Sequence, residues 1–129
     1  MTLEELEANL RQKYRDAVLL AEHQRYANAI YLGGYCLELG LKYAIAKHLH
    51  WDSYRTDGDL RVLKSHKLPF LLQFTGQEAA IKNAEDWQIA SKWTEAIRYQ
   101  DPRAVQSEEF TLMLEATRRL VEQLCAISL

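Results

Sequence analysis

Glycine and proline are scarce, at 5 and 2 of 129 residues. So few turn formers exclude an all-β domain, which needs frequent tight turns. Cysteine occurs only twice, at Cys36 and Cys125, each inside a helical pattern. With no CxxC and no Cys/His cluster, zinc-finger spacing is excluded, and the pair reads as buried thiols in a reducing cytosol. No apolar run approaches the roughly 18 residues that a membrane span needs. The opening Met1-Thr2-Leu3-Glu4-Glu5-Leu6-Glu7 is acidic and does not read as the positively charged start of a signal peptide, so the cytoplasm is expected. An excess of positive charge is missing too. The net charge is −2 and the pI about 6.1, which excludes a strongly basic nucleic-acid binder and leaves room for a local basic patch.

What is present is ordinary for a globular chain: 48% hydrophobic and 26% charged residues. The length allows one domain with its own core, expected over residues 1–129. Thr2-Leu3-Glu4-Glu5 is a capping box, and Leu3, Leu6, Leu10, Tyr14, Ala17 and Ala21 share a face, so a first helix runs to about Glu22. Tyr26 to Leu49 is a second helix, apolar nearly all round. Such a helix is central, or buries its second face on a partner chain. Gly33, Gly34 and Gly40 each cost about 1 kcal/mol relative to alanine within a helix, and close approach of another helix would offset that. Glu38 and Lys42, four apart, can pair.

Residues His50 to Ser65 read as a long loop, with Asp52, Ser53, Asp57, Gly58 and Asp59 as turn formers. From Lys42 to Lys67 six basic residues face three acidic ones, the most basic stretch of the chain. A short third helix is expected over His66–Thr75, with Pro69 near its start and Gly76 as its stop. A fourth helical region runs from about Gln77 to Tyr99, with a kink or break near Asn83–Asp86, and ends at Asp101-Pro102. The last spans about Val105 to Ile127, with Phe110, Met113, Leu114, Thr117, Leu120, Val121 and Leu124 as its stripe. Five helical segments, three of them long, make an all-α, up-and-down helical bundle.

Familiar catalytic signatures are absent. There is no G-x-S-x-G, no HExxH and no phosphate-binding glycine loop. His48 and His50 would point about 200° apart on a helix, and neither a metal site nor a cofactor is expected. Arg61-Val62-Leu63-Lys64-Ser65-His66 is an Arg-x4-His pair. Arginine can stabilise charge on a phosphorane-like transition state and histidine can move a 2′-hydroxyl proton, so Arg61 and His66 are the catalytic candidates. The competing reading is a solvated arginine and a helix-capping histidine. Arg98-Tyr99 is a second polar candidate, with Arg98 equally able to complement a helix dipole. Trp51, Trp87 and Trp93 read as core or interface.

Ala29-Ile30-Tyr31-Leu32-Gly33-Gly34-Tyr35-Cys36-Leu37-Glu38-Leu39-Gly40-Leu41-Lys42 resembles the second helix of small prokaryotic HEPN domains. Glu38, Leu41 and Lys42 match that family's Glu-x-x-Leu-Lys signature. A variable loop, His66-Lys67-Leu68 with Leu71-Leu72, and Arg98-Tyr99 follow in the family's order, over roughly residues 5 to 125. The resemblance implies a cytoplasmic helical bundle, a homodimer, and a role in a toxin–antitoxin or defence module. Many such proteins are metal-independent ribonucleases; others partner a nucleotidyltransferase or bind nucleotides or RNA. The ribonuclease motif places its histidine after the later arginine, and here no histidine follows Arg98. A non-catalytic nucleotide- or RNA-binding or partner-regulating protein is therefore expected. Glu38, Lys42, Arg98 and Tyr99 would be its ligand-binding residues. A ribonuclease using Arg61 and His66, or Arg98 with a histidine from elsewhere, and a scaffold without nucleotide role, are the alternatives. The dimer is expected to use the second face of helix two, around Gly34.

Overall fold

The computed structural model describes residues 1–94 and 101–129. They form an all-α bundle with no strand among the described residues, apart from one antiparallel bridge, Thr2 to Ser53. Helix α1 spans Leu3–Glu22 and α2 spans Tyr26–His48. The capping box is formed: the Glu5 amide donates to Thr2 Oγ1 at 3.1 Å, and the Thr2 amide to Glu5 Oε2 at 3.4 Å. This satisfies two N-terminal amides that the helix itself leaves without acceptors. A turn through Gln24, at φ 61°, folds α2 back against α1. The Leu3 amide reaches Asp52 O at 3.4 Å and the Tyr54 amide reaches Met1 O at 2.8 Å. The start of α1 therefore lies beside the end of α2, and the two are antiparallel.

Helix α6, Ser107–Cys125, packs on α2. Gly33 lies against Met113 and Gly40 against Val121, so the two helices run in the same direction. The return traverse is made by the chain between them. Gln77 Nε2 donates to Leu124 O at 3.0 Å, Asp86 pairs with Arg119 at 2.8 Å, and Trp93 lies on Gly34. Residues 77–93 thus climb from the C-terminal end of α2 and α6 back toward their N-terminal ends. The up-and-down order follows. The core is continuous across these layers, with Leu10, Leu37, Leu41, Ile45, Leu71 and Val121 all fully buried.

Two expected elements change and one expected break is found. The third helix is only α3, Leu68–Leu72. Begun at His66, it would put Pro69 at a position whose amide must donate, so it begins at Leu68. It closes where Thr75 Oγ1 donates to Leu72 O at 2.8 Å, and Gly76 follows at φ 76°. The fourth helical region breaks close to the expected Asn83–Asp86, into two short helices, α4 (Glu78–Ile81) and α5 (Glu85–Ala90). Ile81 and Trp87 are both buried, yet on one unbroken helix they would point about 120° apart. The extended Ala84 between them lets both face the core. The last part of that expected helix, residues 95–100, lies outside the described residues. The expected loop His50–Ser65 is structured: the Thr2–Ser53 bridge pins one end and a 3-10 helix, Gly58–Lys64, forms the other.

The glycines of α2 meet neighbours within the chain, which corrects the expectation of a partner chain there. A Cβ on Gly33 would lie 3.3 Å from Met113 Sδ, and one on Gly40 3.1 Å from Val121 Cγ2. On Gly34 it would overlap the Trp93 indole. Helix α2 is apolar all round because α1, α3 and α6 cover it.

Candidate functional site

One stripe of α2 carries the polar site. Tyr31, Tyr35, Glu38 and Lys42 follow at intervals of four, three and four, so their side chains lie along one face. Glu38 is only 2% exposed. A carboxylate so buried needs partners, and it has two. Lys42 Nζ donates to Glu38 Oε2 at 3.1 Å. His66 Nδ1 lies 3.1 Å from both Glu38 oxygens. An ionised carboxylate only accepts, so Nδ1 carries the proton and donates. His66 reaches Glu38 because the chain between the 3-10 helix and α3 is extended at Ser65 and Lys67.

Aromatic rings surround the pair. Tyr35 stands edge-on to His66 with ring centroids 6.5 Å apart, and edge-on to Trp93 at 5.2 Å. Lys42 Nζ sits 5.6 Å from the centroid of the Tyr54 ring. The Tyr54 hydroxyl donates to Leu63 O at 2.6 Å, tying the loop to the 3-10 helix. Burial, and then the nearby Glu38 charge, push the Tyr54 phenol well above the ordinary tyrosine range. It is a neutral donor at physiological pH.

These groups border a shallow groove of about 390 Å³. Leu6 and Leu39 form its apolar part; Lys42, Tyr54, Lys64 and His66 its polar part. Its lining includes two lysines and a histidine and no acidic residue. In a chain of net charge −2, that is a local concentration of positive charge.

The structure thus brings together Glu38, Lys42 and His66. Arg61 stays apart: it is exposed on the 3-10 helix and makes no hydrogen bond or ion pair with a described residue. His66 orients toward Glu38 instead of capping a helix. Arg98 and Tyr99 lie outside the described residues. Tyr54 and Lys64 were missed by reading the sequence alone, since no periodicity links a loop to a helix face. Tyr35 was readable from its place on the Glu38–Lys42 stripe. Cys36 and Cys125 are buried free thiols, both pushed up to about 12 by burial, and are poor nucleophiles. No three His, Cys, Asp or Glu side chains converge as a metal site among the described residues. Nor is any helix there long and apolar enough to cross a membrane.

Comparison of the chain with protein-family models, with curated proteins and with solved structures found no match. The class that fold and site define is an all-α bundle with a buried carboxylate anchoring a histidine and a lysine at a positive groove.

Proposed function

We propose that this chain is a HEPN-like helical protein that binds the phosphate of a nucleotide or RNA in the Lys42–Tyr54–His66 groove without cleaving it. The observation that carries this reading is the anchoring of Lys42 and His66 by the buried Glu38, on a groove whose lining includes no acidic residue. Lys42 spends one donor on Glu38 and keeps two for a ligand. Lys64 adds an exposed cation, and Leu39 with the Tyr54 ring offers an apolar surface for a base or ribose. In this reading the chain is a cytoplasmic homodimer that partners a nucleotidyltransferase in a toxin–antitoxin or defence module, as the resemblance implies. Arg98 and Tyr99 belong to the same ligand site by that resemblance.

Fluorescence anisotropy with labelled short RNA and with a labelled nucleotide, over a salt series, tests it. Affinity should fall as salt rises and drop at least about tenfold, some 1.4 kcal/mol, in Lys42→Ala/Lys64→Ala. No saturable binding, or salt-independent binding unchanged in the double variant, would overturn it.

A second reading has one observation in its favour. With Nδ1 donating to Glu38, the neutral form of His66 would carry its lone pair on the other ring nitrogen, where a general base needs it. Metal-independent RNA cleavage in excess EDTA, lost in His66→Ala and in Arg61→Ala, would establish the ribonuclease with Arg61 and His66 as its catalytic pair.

A further inference from the structure

The groove beside Lys42 and His66 has a definite sum of charge and a definite set of donors. Lys42 Nζ and His66 Nδ1 both lie 3.1 Å from the carboxylate of Glu38, which is buried behind the groove. Lys64 lines the same groove. Tyr54 adds no donor, because its hydroxyl is spent on Leu63 O at 2.6 Å. Its ring serves as wall, together with Leu6 and Leu39.

Glu38 decides which form of His66 can serve a phosphate. Nδ1–H donates to the buried carboxylate. The other ring nitrogen lies across the ring, on the side turned away from Glu38, and the side chain is 44% exposed. Unprotonated, that nitrogen would set its lone pair against those of a phosphate oxygen. It meets the oxygen favourably only when it also carries a proton, so the imidazolium is the form that binds. Lys42, Lys64 and the imidazolium are then three positive charges against the one carboxylate of Glu38. The surplus is two charges, offered through three donor side chains.

The two kinds of nucleotide phosphate differ in both respects. An internal phosphodiester has one negative charge and two non-bridging oxygens. A terminal phosphomonoester has three free oxygens and a charge of about −1.5 to −2 at pH 7. The terminal group matches the donors and the charge; a diester leaves one cation unmatched. At about 390 Å³ the groove also has the size of a small-molecule site.

We infer that the groove selects a terminal phosphomonoester, on a mononucleotide or at the phosphorylated end of an RNA, over an internal phosphodiester. Its three free oxygens are met by Lys42, Lys64 and His66, and Glu38 holds His66 in the charged form that tells the two esters apart. This selectivity rests on the phosphate-binding reading and adds to it the chemical form of the phosphate.

Isothermal titration of the full chain near pH 7 tests it. The probes are the four 5′-mononucleotides, their phosphate methyl esters, and one short RNA with a 5′-phosphate, with a 3′-phosphate, or with hydroxyls at both ends. At least one phosphomonoester should bind at least about tenfold more tightly than its diester or hydroxyl counterpart. A preference seen with the RNA ends places the group on RNA, and one confined to the mononucleotides places it on a free nucleotide. In His66→Gln and in Lys64→Gln that preference should shrink by at least about threefold. Both residues are exposed, and circular dichroism checks that the variants keep the fold. Equal affinity for the two forms of every probe overturns the selectivity and leaves phosphate binding standing. So does a preference unchanged in both variants. No saturable binding of any probe overturns phosphate binding itself, and the selectivity with it.

Discussion

His66 Nδ1 lies 3.1 Å from both carboxylate oxygens of Glu38, a residue 28 positions earlier and 2% exposed. The two partners differ sharply in what they lose when separated. Glu38 is inside, and its second partner Lys42 has a side chain only 13% exposed, whereas the His66 side chain is 44% exposed.

Glu38→Ala should therefore cost far more than His66→Ala. Removing the carboxylate strands a largely buried ammonium, a loss of about 3 kcal/mol. Removing the histidine leaves Glu38 paired with Lys42 and should cost under about 1 kcal/mol. Urea denaturation of the two variants checks the order, and equal losses would contradict the pairing described.

Gly34→Ala tests the contact between α2 and Trp93. The added methyl would overlap the indole, so the ring must leave its place. A loss of about 1–3 kcal/mol is expected from such overpacking, with a red shift of tryptophan emission. Gly33→Ala should be milder, because its nearest neighbour is the flexible Met113 side chain at 3.3 Å.

Tyr54→Phe removes the hydroxyl that donates to Leu63 O. The expected cost is about 1 kcal/mol. It should appear as faster amide exchange across Gly58–Lys64 while α1 and α2 keep their protection. Uniform loss of protection would show that the 3-10 helix is not separately held.

The two thiols give a pH dependence. Burial raises Cys36 from 9.0 to about 12, and Cys125 likewise. The folded state then binds these protons more tightly than the unfolded one. Their contribution is complete below pH 9 and is lost as pH rises toward about 12. Each thiol should remove about 1.4 kcal/mol per pH unit across that window. Cys36→Ala should flatten the alkaline limb of a stability–pH curve. In the native protein at neutral pH neither thiol should react with iodoacetamide.

The helices were legible because each rule they obey is local. The capping box at Thr2–Glu5 depends on residues three apart, and the stripe of Leu6, Leu10 and Ala17 on a fixed rise per turn. Glu38 and Lys42 could be paired for the same reason. The break between Ile81 and Trp87 could be placed only within a few residues, since which of them faces the core depends on what packs there.

What the sequence by itself determined is the class: an α-helical chain with an almost wholly apolar second helix carrying one acid and one base on a polar stripe. Tertiary structure alone decided what those glycines and charges meet. The glycines of α2 could have faced a partner chain; they receive Met113, Val121 and the Trp93 indole, all from more than 50 residues away. The Arg-x4-His spacing singled out Arg61 and His66; within the chain His66 meets Glu38, 28 residues earlier. Helical periodicity constrains neighbours a turn or two apart and carries no information across a loop. Which distant residue fills a gap or neutralises a buried charge is set by packing of the whole chain, where volume and charge must both be satisfied.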